Sequence, residues 1–172
     1  MNLLKMPGIR CTGRKMKVLL RHKGVALLAT LSWMGVIFYL SHQPAEASSE
    51  LSGRFAKLVM GLLSLLPITF DGEVLHFFIR KGAHFFAYMV LGFLMYHSVR
   101  LFSMRKPIEN VLFALILSVI YAMTDEWHQT FIPGRSGELR DVLIDSVGSL
   151  TGILIYYWIL RLLYNKKDKD YM

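Results

Sequence analysis

Asp125-Glu126-Trp127-His128-Gln129-Thr130-Phe131-Ile132-Pro133-Gly134-Arg135-Ser136-Gly137-Glu138-Leu139-Arg140-Asp141, with Asp145 one turn further on, is the stretch that decides how this chain is read. It separates two apolar runs and is richer in carboxylate, imidazole, amide and guanidinium groups than a solvated loop needs. Asp125 and Gln129 are four apart, and so are Asp141 and Asp145, so on helices each pair shares one face. Pro133-Gly134 marks a tight turn, and Arg135 follows it directly. The spacing predicts two helix ends that present polar groups toward one point, joined by a short loop carrying an arginine.

The runs on either side are the length of membrane spans. The chain has 172 residues, 54% hydrophobic and 19% charged, which fits one domain that is more apolar than a soluble one. Upstream, residues 110–123 alone would reach only about 21 Å at 1.5 Å per residue. A crossing of about 20 residues starts near Pro107-Ile108 and ends at Trp127, which puts Asp125 and Glu126 at its end. Downstream, a span runs from Asp141 to Leu163, and Gly148 and Gly152 form a small-xxx-small pair that admits a close neighbour. Residues 83–99 read as a span bounded by Arg80-Lys81 and Arg100. His84, Tyr88 and Gly92 lie on one face of it. Residues 24–40 read as the first span, closed by Ser41-His42-Gln43-Pro44. Ala45-Glu46-Ala47 is similar to a signal-peptidase site, but the basic tail and apolar run before it are long for a signal peptide, so a permanent anchor is expected. Trp33, Trp127 and Tyr156-Tyr157-Trp158 read as packing or interfacial aromatics.

Between the first two long spans, residues 49–66 carry apolar positions three and four apart with Arg54 and Lys57 among them, and Pro67 ends the pattern. A surface or re-entrant amphipathic helix is expected there, followed by a mixed connector over 68–79. Residues 1–23 form a basic tail and residues 164–172 a second one. The expected fold is all-α: a 24–163 membrane domain of four transmembrane helices plus the amphipathic helix. Cys11 is the only cysteine, which rules out an intramolecular disulfide or a thiolate cluster.

Four spans leave both termini on one side. That side, with the 100–109 loop, holds fourteen of the 20 Lys and Arg residues. The positive-inside rule then places both termini in the cytoplasm of a bacterial-type plasma membrane. The net charge of +8 is therefore a topology signal, and no nucleic-acid partner is expected. His84, Asp125, Glu126, Gln129, Asp141, Asp145 and Ser41-His42-Gln43 all fall at the extracytoplasmic ends of spans. Ionisable groups near lipid are costly unless they share a polar cavity, so one outer pocket is expected.

These residues resemble a known family. Arg80-Lys81-Gly82-Ala83-His84-Phe85-Phe86-Ala87-Tyr88 with Leu91-Gly92 is similar to the second-helix motif of VanZ-like membrane proteins. Asp125-Glu126 with Gln129, then Phe131-Ile132-Pro133-Gly134-Arg135, then Asp141-Val142 and Gly148, resemble the family's second block in order and spacing. The likeness covers about residues 24–163. Asp145 departs from it, since an Asn is expected there, and so adds a potential charge to the pocket. The family's namesake is linked to low-level resistance to the glycopeptide teicoplanin, and the resemblance implies a membrane protein of that family acting at the cell envelope.

Two chemistries compete with a purely structural ion-pair network among Asp125, Glu126, Arg135, Asp141 and Asp145. In the first, His84 is a general acid or base, with Glu126 or Asp141 orienting it or sharing its proton. In the second, Arg135 grips a phosphate or carboxylate, with Lys81, Tyr88, Asp125, Gln129 and Asp145 completing a binding pocket. The expected partners are the lipid bilayer and a cell-wall precursor, lipid or glycopeptide, whether bound unchanged or acted on by a membrane-embedded enzyme. No nucleophile motif, phosphate loop or cofactor motif is present. No metal is expected either: His84, Asp125, Glu126, His128 and Asp141 include suitable N and O donors, but no ligand spacing organises them. His22, His76 and His97 have no partner pattern and read as interfacial or loop residues.

Overall fold

The computed structural model describes residues 13–63 and 71–169, in five helices: α1 Gly13–Ser41, α2 Ala45–Leu63, α3 Gly72–Phe102, α4 Pro107–Gln129 and α5 Leu139–Lys169. Four of them, over His22–Ser41, Gly72–Phe102, Pro107–Gln129 and Leu139–Leu163, are long and apolar enough to cross a membrane. The chain is an all-α membrane protein with one further helix, α2. Pro67 and residues 1–12 lie outside the described residues.

Local signals set the helix ends. Asp71 caps α3, its carboxylate accepting from the Glu73 N–H at 2.9 Å, while Glu73 complements the positive end of the helix dipole. The 68–79 connector is therefore shorter than expected: residues 72–79 are the first turns of α3. Asp71, Glu73 and His76, which read as loop residues, are a helix cap, an exposed first-turn acid and a half-buried contact to α2. Pro107 opens α4 at a position where a missing N–H costs nothing, and Glu109 accepts from the Lys106 N–H at 3.3 Å. The amphipathic helix begins earlier than its apolar period suggested, at Ala45. The helical path of α1 begins at Gly13, inside the basic tail.

Side-chain contacts define the packing. Trp33 Nε1 donates to Ala87 O at 2.8 Å, and Thr30 bonds Leu94 O at 3.2 Å and Ser98 at 2.8 Å, so α1 and α3 run antiparallel. Tyr121 OH donates to Met34 O at 2.6 Å, and Ser41 bonds Asp125, so α1 and α4 run in the same direction. α3 and α5 are also parallel: Lys81 meets Asp141, His84 meets Asp145, and Ser149 Oγ donates to Tyr88 O at 3.3 Å. Their seam is glycine-lined as the small-xxx-small spacing predicts. A Cβ at Gly92, Gly148 or Gly152 would collide with the backbone of Ser149, Phe85 or Met89. No other residue type lets two helices approach so closely.

The core is a ladder of Tyr88, Leu91, Met95, Tyr96 and Val99 on α3 against Ile37, Val111, Ala114, Ala122 and Ile153. α3 is the central helix and buries the largest share of its span. Leu31, Phe38, Ile116, Ile120, Val147 and Leu154 point outward and are exposed, which suits helices solvated by lipid tails. α3 is 31 residues long, about 46 Å at 1.5 Å per residue, and overreaches a hydrocarbon core of about 30 Å. Its first turns pack against α2, where His76 Nε2 bonds Ser49 O at 3.1 Å. All this places the ends of α1 and α4, the starts of α3 and α5, and α2 at one end of the bundle.

Candidate functional site

The turn after α4 is built by its own residues. The Arg135 N–H closes onto Ile132 O at 3.1 Å, with Pro133 and Gly134 between them and Gly134 at φ +74°. That is a type II turn, whose third position needs the left-handed backbone that glycine tolerates. The Ala45 N–H donates to Pro133 O at 3.3 Å, which ties α2 to the turn. Gly137 lies against the last turn of α4, where a Cβ would come within 2.6 Å of Glu126 O. This closeness lets the Glu138 N–H reach Glu126 Oε2 at 3.1 Å.

Four acids then converge. Asp125, Glu126, Asp141 and Asp145 are all buried, Asp145 completely. Asp141 is held by Lys81, whose ammonium bonds both carboxylate oxygens, at 2.6 Å for Oδ2. Asp125 Oδ2 accepts from Ser41 Oγ at 2.8 Å and from Gln129 Nε2 at 3.3 Å. Glu126 Oε1 accepts from the same amide nitrogen at 2.9 Å. Gln129 Oε1 accepts from Arg135 Nη1 at 2.9 Å. The carboxylates on one side and the guanidinium on the other fix which way this amide points. Asp145 has no hydrogen bond on either oxygen. Its Oδ1 stands 3.6 Å from His84 Nδ1, within ion-pair range but too long for a hydrogen bond.

The sequence-predicted residues thus meet at one end of the bundle, in an arrangement that spacing could not specify. Of the two acids expected to orient His84 or share its proton, Asp141 is taken up by Lys81 and Glu126 accepts from Gln129 and the Glu138 N–H, and Asp145 stands beside the imidazole instead. Arg135, a member of the expected ion-pair network, bonds an amide oxygen and Leu40 O at 3.4 Å rather than a carboxylate. Its Nε is buried without a partner. Burial, and then the nearby Arg80 guanidinium, push Arg135 below its ordinary pKa, while Asp125 and Glu126 pull it back up. His128 lies outside the cluster, 3.2 Å from His42 and stacked on Phe38. His76 and His97 do have partners, Ser49 O and the Tyr156 hydroxyl.

A cavity of about 340 Å³ opens beside the acids. Ile37, Leu40, Leu51, Ala83 and Ala87 give it apolar walls, and Arg80, His84, Tyr88 and Arg135 supply polar groups. Arg80 was not singled out from the sequence, where Arg80-Lys81 reads as a charged span end. Its spacing carried the signal, since Arg80, His84 and Tyr88 are successively four apart on one helical face. A second cavity, of about 580 Å³ at the opposite end, is lined by Arg100, Arg105, Arg161 and Tyr157, with no acid or histidine.

The fold and site define a four-span, all-α membrane protein with buried acids and an imidazole at one end of its bundle. The VanZ/LLP1 family model matches residues 26–161, and the chain belongs to that family. No curated protein and no solved structure matches it.

Proposed function

We propose that the protein binds an anionic amphiphile of the cell envelope in the cavity between α1, α2 and α3, on the extracytoplasmic side of the plasma membrane. One observation carries this reading: two guanidinium groups, Arg80 and Arg135, line the same apolar-walled cavity and repel each other there. A phosphate or carboxylate between them would relieve that repulsion and meet the planar donor forks of both. The apolar walls suit an acyl or prenyl chain. Lipids, lipid-linked cell-wall precursors and glycopeptides with a lipid tail all have this chemistry. A role in glycopeptide susceptibility follows for any such ligand on the teicoplanin route.

The test is binding of phosphatidic acid, undecaprenyl phosphate and teicoplanin to the purified chain in nanodiscs. Arg135→Lys keeps the charge and loses the fork. Lys and Ala variants that retain helix content should lose affinity alike. A lysine variant that binds as wild type returns Arg135 to charge balance.

His84 favours a second reading, as a membrane-embedded enzyme. It lines the cavity and stands 3.6 Å from the buried Asp145, the position a general acid or base needs. Glu126→Gln and His84→Asn separate the two readings. Variants that still bind the amphiphile but no longer convert it favour the enzyme. Unchanged ligand in the presence of wild type favours binding alone.

A further inference from the structure

We propose that His84, Glu126 and Asp145 bind one divalent first-row cation. The three come from α3, α4 and α5, and one ligand atom from each lies within 4.8 Å of the others. Ligands on an ion with bonds of about 2.1 Å stand about 3.4 Å apart in tetrahedral geometry, so the three groups would draw closer on binding, with Glu126 exchanging a bond to Gln129 or to the Glu138 N–H for the ion.

Two independent features point to a cation here. The first is Asp145. Its carboxylate is completely buried, faces His84, and has no hydrogen bond on either oxygen. A buried carboxylate left this way is among the costliest arrangements a protein holds. The second is charge. Lys81 is committed to Asp141, and Arg135 bonds Gln129. Among the described residues, no lysine or arginine pairs with Asp125, Glu126 or Asp145. A dication held by a neutral His84 would neutralise two of these three acids and satisfy the Asp145 oxygens directly. One imidazole nitrogen with carboxylate oxygens suits Mn²⁺, Fe²⁺ or Zn²⁺ better than a soft ion such as Cu(I). Because His84 also lines the cavity, the ion would sit in the cavity wall. The proposal stands whether or not the cavity takes an amphiphile.

The experiment uses the full chain in nanodiscs, stripped with chelator and dialysed against Mn²⁺. A His42→Gln/His128→Gln background removes the imidazole pair, 3.2 Å apart, that could chelate an ion by itself. Elemental analysis should give one Mn²⁺ per chain, displaced by Zn²⁺. Pulsed electron paramagnetic resonance should show coupling to one histidine nitrogen. Asp145→Asn and Glu126→Gln should each lower Mn²⁺ affinity at least about tenfold, and His84→Gln should abolish the nitrogen coupling. Glu73→Gln, on an exposed turn, should change nothing. Failure of the background chain to retain Mn²⁺, or Mn²⁺ without nitrogen coupling, overturns the proposal even if the ligand variants misfold. So does equal affinity in a folded Asp145→Asn chain, and the buried acids must then be held by protons.

Discussion

Lys81 and Asp141 show what a single pair contributes here. Both side chains are largely buried, and the ammonium bonds both carboxylate oxygens. Removing one member of such a pair strands the other's charge in a medium that cannot solvate it. Lys81→Met should lower stability by about 3 kcal/mol, read as a fall in the thermal unfolding midpoint of the detergent-solubilised protein. Lys81→Met with Asp141→Leu should recover most of the loss, because neither partner is then left charged. A single variant as stable as wild type would mean that the pair contributes nothing measurable to stability. Gln129 makes the complementary case. Its one amide spans Asp125, Glu126 and Arg135, so Gln129→Leu should uncouple the acids from the arginine and lower stability although no charge changes.

At the scale of elements, the α3–α5 seam is the least tolerant part of the fold. Gly92, Gly148 and Gly152 have neighbouring backbone where a Cβ would stand, whereas Gly24 and Gly35 on α1 have nothing within 4 Å. Gly152→Leu should therefore force α3 and α5 apart, shift His84 from Asp145, and leave little folded protein in the membrane. Gly35→Ala should be neutral or stabilising by up to about 1 kcal/mol, since alanine is the better helix former. Membrane-fraction yield and thermal midpoint read both effects. Equal damage at the two positions would show that helical glycines here serve flexibility rather than close approach. The turn between α4 and α5 is constrained in a different way. Gly134→Val would place a β-branched residue at φ +74°, with Ala45 against it, and should loosen α2 from the turn.

For the whole molecule, orientation in the membrane decides which ligands reach the site. The sequence puts most cations on the side of the termini, and the structure gathers the candidate site at the opposite end. From the positive-inside rule we predict that this end is extracytoplasmic. In a Cys11→Ser background, cysteines at Asn2, Met104 and Asp168 should be protected from a membrane-impermeant thiol reagent in intact cells. Cysteines at Ser48 and Ser136 should be labelled. The reverse pattern would turn the cavity toward the cytoplasm and remove envelope ligands from consideration.

Much of this protein was legible in its residues because lipid imposes simple rules. A span must be long, apolar and helical to satisfy its backbone, so four helices, the α2 amphipathic segment and the Pro133-Gly134 turn follow from local pattern. Gly148-xxx-Gly152 announced a close helix neighbour, and the polar ends of the spans announced that their polar groups gather at one end of the bundle; the cavity there is lined by Arg80, His84, Tyr88 and Arg135 but not by the acids. Residues 72–79 were misread because Asp71, Glu73 and His76 read as loop polarity, although Val74, Leu75, Phe77, Phe78 and Ile79 already carry the apolar character of the helix. Pairing was decided only by tertiary structure. Spacing reports which residues share a face, but not which facing helix meets it or in what register. The parallel contact of α3 with α5 gives Asp141 to Lys81, sets Asp145 beside His84 and brings in Glu126 from α4. Arg80 and Arg135 come to the same cavity from elements 55 positions apart in the chain, and only the folded bundle brings them together.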